Sequence, residues 1–203
     1  MPKMPKITTE RAAEIYEEMI QYRRAFCADT EFFKMTEFWD DVASGAGDWK
    51  INRFRSNLGA DYVRKAGVVA LGHKVTLSVD DELWLRAKSG CWIANYILAH
   101  EIGHLALDHH AKAAITKNFQ LFVGPTGSMS NIPPTPKELE ANLAAVFLQC
   151  GVALEDRRWS ALDLAARAFS DVNYVRKAQM YVRLDVFLRA LRRPRSKAMR
   201  VIL

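Results

Sequence analysis

Residues 90–111 read GCWIANYILAHEIGHLALDHHA, and the fold is built outward from this stretch. It holds no proline, its apolar residues fall on nearly every side of a helical projection, and charge is confined to His-Glu-Ile-Gly-His at 100–104 and to the C-terminal end. That pattern predicts a helix from Gly90 to about Ala111, buried inside its domain. Unpaired His and Glu in the middle of such a helix are costly to bury, so they need a chemical reason to be there. Gly103 points the same way, because a glycine inside a helix costs about 1 kcal/mol relative to alanine and is usually kept where another segment approaches closely.

Upstream, residues 67–80, GVVALGHKVTLSVD, carry two β-rich runs around Gly72-His73. Gly72 suits the first central position of a type II′ turn, and Val75, Leu77 and Val79 alternate with polar residues, which predicts a hairpin followed by a helix. Residues 8–44 have helical spacing, with Ala12, Ile15, Tyr16, Met19, Ile20 and Tyr22 as one apolar set and Phe32, Phe33, Phe38 and Trp39 as a second. Ser-Gly-Ala-Gly-Asp at 44–48 breaks this pattern, and a further helix is expected through 50–65. Downstream, 113–134 reads as a long loop of the functional or mobile kind. Helices are predicted at 136–150, 153–169 and 171–190, with a basic extension. Helices, a small antiparallel sheet and more helices make an α+β arrangement.

With 203 residues, half of them apolar, the chain suits one domain with a small appendage. Residues 1–152, including the N-terminal helices, are expected as the main domain, and 153–203 as a helical segment packed on it that ends in a basic tail. The start, MPKMPKITTERAAE, lacks the apolar core of a signal peptide, and no apolar stretch is long enough to span a membrane. The expected location is therefore the cytoplasm, with no membrane partner. Cys27, Cys91 and Cys150 are odd in number and form no CxxC pair, so they are expected to be reduced and mostly buried. The net charge of +6 is concentrated at Arg189, Arg192, Arg193, Arg195, Lys197 and Arg200. Such a tail suits nucleic acid or an acidic partner, and equally a solvated terminus.

Histidines four apart lie on one helix face, so His100 and His104 can both direct a ring nitrogen at one zinc ion. Glu101 is rotated from that face by roughly 100°, which lets it act on a water as general base instead of binding the metal. A catalytic zinc needs a third protein ligand. His110 stands where a metzincin places its third histidine, but Leu107 occupies the position where that pattern requires glycine. Asp108 lies one turn beyond His104 and suits a ligand or an acceptor behind one, while His109 and His110 suit helix C-terminal residues that complement the dipole. The remaining candidates lie in PTPKELEANLAAVFL, residues 134–148. Glu138 and Glu140 are rivals there on spacing alone, with Asn142 one turn from Glu138 and suited to orienting a ligating imidazole. Thr135-Pro136-Lys137-Glu138 is also a capping box, in which Glu138 would reach back to the N-cap amide.

HEIGHLALDH followed by ELEANLAAVFL resembles the ImmA/IrrE-type metallopeptidases, whose pattern is HE(L/I)GHxxLH and then ExEANxFAxxLL. Residues 159–184, WSALDLAARAFSDVNYVRKAQMYVRL, are similar to the trailing helices of that family, so the likeness runs from roughly residue 67 to 185. It implies a mainly helical, zincin-like domain of gluzincin type, with His100, His104 and Glu138 as zinc ligands and Glu101 as the base. The ExxAN register, matched by Glu138, Ala141 and Asn142, favours Glu138 over Glu140. The chain departs from the pattern at Ala144-Ala145, where Phe-Ala is usual, and at Leu148-Gln149-Cys150-Gly151, where Leu-Met-Pro is common; both bear on the floor of a substrate cleft.

The resemblance further implies a narrow-specificity endopeptidase that cleaves a helix-turn-helix transcriptional repressor in a stress-response or mobile-element circuit. The hairpin at 67–80 offers either an edge strand for an extended substrate or an ordinary covered edge. A competing expectation is a DNA-binding or regulatory module that uses the zinc fold as a scaffold. In that reading 173–184 serves as a recognition helix and the basic tail sits on phosphates, although Tyr174, Val175, Met180, Tyr181 and Val182 also suit packing on a core. A toxin or immunity component with vestigial catalysis is a third expectation, against which the intact Glu101 argues.

Overall fold

A computed structural model of the chain describes residues 7–45, 47–55, 66–109 and 135–192. The expected loop at 113–134, His110 and the tail residues Arg193, Arg195, Lys197 and Arg200 lie outside the described residues. Helices α1 (Thr9–Phe26) and α2 (Met35–Gly45) occupy the N-terminal region as its spacing predicts. Thr8 caps α1 by accepting the Arg11 backbone N–H. Ala12, Ile15, Tyr16, Met19 and Ile20 bury the inner face.

The next segment departs from the sequence reading. Trp49–Phe54 forms strand β1 where a helix over 50–65 is expected, and 56–65 lie outside the described residues. In WKINRF the apolar Trp49 and Ile51 alternate, and the strand is held by pairing with residues later in the chain, which local helical spacing does not register. Strands β2 (Ala66–Leu71) and β3 (Lys74–Asp80) form the expected hairpin. At its turn the positive φ falls on Gly72 (62°) and not on His73, as a type II′ turn requires. The sheet order is β1-β3-β2, with β1 parallel and β2 antiparallel to β3. The sheet is therefore mixed, and the purely antiparallel expectation is corrected by the misread β1.

Helix α3 (Asp81–Lys88) starts at once, because the Asp80 side chain accepts the Glu82 and Leu83 backbone N–H groups. Helix α4 (Trp92–Ala106) is the buried helix of the motif. Its Asn95 joins three helices: Oδ1 accepts the Met35 N–H at 2.7 Å and Nδ2 donates to the Ala87 and Cys91 carbonyls. Helix α5 (Pro136–Cys150) keeps its expected bounds. In place of the helix expected over 153–169 there are a 3-10 turn, Gly151–Leu154, and a short helix α6 (Ala161–Arg167) capped by Ser160. The segment 171–190 divides into α7 (Val172–Val182) and α8 (Asp185–Leu191) at a junction that carries neither glycine nor proline.

One cluster of buried side chains runs from Ala12 in α1 to Phe187 in α8, so residues on both sides of position 152 share it. Tyr16 packs edge-on against both Phe147 and Phe187, with centroids 5.1 and 5.5 Å apart. Val175 and Val182 of α7 are buried in the same core and Tyr174 and Tyr181 are half-buried, whereas Met180 is 68% exposed and does not pack there as its spacing suggests. Cys150 is buried, and Cys27 and Cys91 are partly so. Among the described residues no helix is long and apolar enough to cross a membrane.

Candidate metal centre

Helices α4 and α5 lie unusually close because Gly103 has no side chain. A Cβ at Gly103 would stand 2.8 Å from the Ala141 carbonyl oxygen, closer than real Cβ atoms come, and 3.0 Å from the Ala144 methyl. The glycine therefore has the close approach its helical position predicts, and the small Ala144 is the residue that meets it. The contact aligns the first turn of α5 with the turn of α4 that carries His100 and His104.

Both imidazoles are fully buried, and their Nε2 atoms face each other at 3.0 Å. Glu138 reaches the same point from α5, with Oε2 3.1 Å from His100 Nε2 and Oε1 3.5 Å from His104 Nε2. Among the described residues these three side chains form a group able to hold a metal ion. The donor set fits such an ion in kind, since two imidazole nitrogens and a carboxylate suit a first-row transition metal. It fits in spacing as well. A tetrahedral ion about 2.0–2.1 Å from each ligand keeps the ligand atoms about 3.3 Å apart, and His100 Nε2 lies 3.0 Å from His104 Nε2 and 3.1 Å from the nearer Glu138 oxygen, Oε2, while the other oxygen, Oε1, lies 3.5 Å from His104 Nε2.

The protonation states agree with the geometry. Burial lowers the His104 pKa to about 4, so the ring is neutral at pH 7. Burial raises the Glu138 carboxyl, but the two imidazoles beside it outweigh that effect and hold the group well below the usual carboxylate range. Neutral imidazole and ionised carboxylate are the forms a metal ion takes up. Glu138 also resolves the capping question: Thr135 Oγ1 accepts the Glu138 backbone N–H at 3.3 Å, so the N-cap half of the box exists, while the Glu138 carboxylate turns to the imidazoles.

No protein-family model, no curated protein and no solved structure matches the chain.

Glu101 is only 1% exposed and stands apart from the three donors. Its carboxylate accepts the Val68 backbone N–H from β2, and burial, its largest influence, pushes its pKa up to about 7. Oxygen Oε2 has no partner among the described residues. A buried carboxylate with an uncommitted oxygen and a pKa near neutrality has the properties of a proton acceptor.

Two residues that the sequence reading places behind the ligands have other partners. Asp108 is exposed and sits just past the end of α4 with φ 51°. There the His109 N–H bonds to the His104 carbonyl and the Asp108 N–H to that of Leu105. This is a Schellman motif with Asp108 at its left-handed position, so the helix has already ended where the sequence reading carries it on to the His104 face. Among the described residues the Asn142 side chain bonds to two tyrosines. Its Oδ1 accepts the Tyr96 hydroxyl at 2.7 Å and its Nδ2 donates to the Tyr174 hydroxyl at 3.1 Å, which brings α7 against the site. Burial raises the pKa of both tyrosines, so they remain hydroxyl groups.

The sequence reading missed the group behind His104. Across the Schellman turn His109 folds back until its Nδ1 lies 2.9 Å from His104 Nδ1, and its Nε2 lies 3.3 Å from Glu140 Oε2. Arg11 of α1 then holds Glu140 in a two-point contact of 3.1 and 2.6 Å. Glu140, the rival third ligand on spacing, is thus turned away from the metal donors. The Asp-His sequence at a helix end is the only local signal for this arrangement.

Proposed function

We propose that the protein is a zinc-dependent endopeptidase of narrow specificity, acting in the cytoplasm on a protein substrate. The observation that carries this reading is the pairing of three convergent donors, His100, His104 and Glu138, with a buried carboxylate, Glu101, whose pKa is raised to about 7. When bound by those donors, zinc supplies Lewis acidity that polarises a scissile carbonyl. Glu101 is matched in pKa to take a proton from the attacking water and deliver it to the leaving amine. Strand β2, at the sheet edge and joined to Glu101 through the Val68 N–H, supplies a backbone along which an extended substrate would lie, with Val69 and Leu71 exposed beside it. The likeness to the ImmA/IrrE-type peptidases supports a helix-turn-helix repressor as the substrate.

The test is co-expression of the chain with candidate repressors encoded by neighbouring reading frames, with products weighed as intact masses. Wild type is expected to yield defined repressor fragments. Glu101→Gln is expected to retain zinc and yield none, and His104→Ala to lose both metal and cleavage. Identical fragments with wild type and Glu101→Gln would contradict the reading.

One observation favours a second reading, direct DNA binding by α6 and α7: the outward residues of α7 include Asn173, Arg176 and Lys177, followed by Arg183 at its C-cap, all exposed. On that reading Arg176→Glu with Lys177→Glu weakens duplex binding and flattens its salt dependence, and Glu101→Gln leaves it unchanged. The inner face of α7 is committed to the core and to Asn142, so this role would use the outer face alone.

A further inference from the structure

His104 is gripped from both sides, unlike His100, whose Nδ1 has no partner among the described residues. One arrangement of the hydrogens in the group behind His104 leaves that ring able to bind a metal, and it follows from His109 as a neutral imidazole. Ionised Glu140 can only accept, so His109 Nε2, 3.3 Å from Glu140 Oε2, carries a hydrogen. A neutral imidazole with its hydrogen on Nε2 has a lone pair on Nδ1, and that lone pair faces His104 Nδ1 at 2.9 Å. His104 must then carry its own hydrogen on Nδ1, which leaves the Nε2 lone pair directed at His100 and Glu138. In the opposite arrangement His104 Nε2 is protonated and cannot ligate.

We propose that His109 is a positioning residue that, with Glu140 and Arg11, fixes His104 in the one tautomer able to bind the metal. The inference rests on the metal-centre part of the reading above. The path runs from His104 Nδ1–H to His109 Nδ1, from His109 Nε2–H to Glu140, and ends on the Arg11 guanidinium. Its members come from three helices and the turn between them. Lys137 secures it further by donating to the His109 carbonyl at 2.9 Å. Partners behind a ligating histidine orient the ring and increase its basicity, and their loss typically weakens metal binding about 10–100-fold.

Two measurements test it. In metal-free protein with ¹⁵N-labelled histidine, the His104 ring is expected to show a protonated Nδ1 and an unprotonated Nε2. The reverse pattern would overturn the proposal without any variant being made. Zinc affinity is then measured by chelator competition. His109→Ala is expected to bind zinc about 10–100-fold more weakly, and His109→Asn, whose amide oxygen replaces the Nδ1 lone pair, to recover most of the loss. Equal weakening in the two variants would mean that His109 only fills space and would overturn the proposal, as would unchanged affinity in His109→Ala. A wild-type chain that takes up no zinc would instead sink the metal reading and this inference with it.

Discussion

Gly103 sets the distance between the two helices that supply the metal donors, so its substitution separates two opposing effects. Alanine is favoured over glycine inside a helix by about 1 kcal/mol, but here its methyl would meet the Ala141 carbonyl at 2.8 Å, and overpacking of that kind costs about 1–3 kcal/mol. The obstructing atom is backbone, which cannot swing aside, so packing wins. Gly103→Ala is expected to lower the urea midpoint of the metal-free protein and to weaken zinc binding as Glu138 is pushed back; a raised midpoint would contradict the packing argument. At this scale the sequence is informative where chemistry and spacing coincide. His100, Glu101 and His104 occupy one helical turn and are legible by pattern, whereas spacing leaves Glu138 level with Glu140 near the start of a second helix, and only the resemblance in the ExxAN register favours Glu138. His109 is not legible, because its role depends on a left-handed residue at Asp108 and on Glu140 and Arg11, which are remote in sequence. The tyrosine partners of Asn142 are not legible from spacing, since Tyr174 comes from α7.

Among the elements, α5 is held at both ends. Thr135 caps its start, and the fully buried Arg23 of α1 closes its end by donating Nη1 to the Leu148 and Gln149 carbonyls at 2.9 and 3.0 Å. Arg23 Nη2 also donates to the Glu31 carbonyl. Each hydrogen bond from a charged group is worth about 1.5–3 kcal/mol, and a cation at a helix C-terminus complements its dipole. Arg23→Met, which keeps much of the apolar stem, is expected to destabilise the protein by at least about 2 kcal/mol in denaturant titration. A change below about 0.5 kcal/mol, the range of ordinary surface substitutions, would show that the contact is dispensable. Elements with self-contained signals were legible: the Gly72 hairpin, α4, and α5 with its Thr-Pro start. Strand β1 was not, because what makes it a strand is its parallel pairing with β3. The junction of α7 and α8 was not legible either, for want of a breaking residue.

Across the whole molecule a single core joins the two ends of the described chain. Tyr16, Phe147 and Phe187 meet although they come from α1, α5 and α8, and the Tyr181 hydroxyl donates to the Ile7 carbonyl. The segment after residue 152 is therefore part of the support of α1 and α5, and through Arg11 and Glu140 of the metal centre itself. Phe187→Ala is expected to cost about 3–5 kcal/mol, with loss of helix and of tyrosine fluorescence in one coincident transition. A separate early transition for the C-terminal helices would show that they fold on their own. Native mass spectrometry after zinc reconstitution tests most directly whether His100, His104 and Glu138 hold zinc. One zinc ion per chain is expected in wild type and Glu101→Gln, and none in the His100→Ala/His104→Ala double variant; a wild-type chain without zinc, or undiminished zinc in the double variant, would contradict a zinc site there.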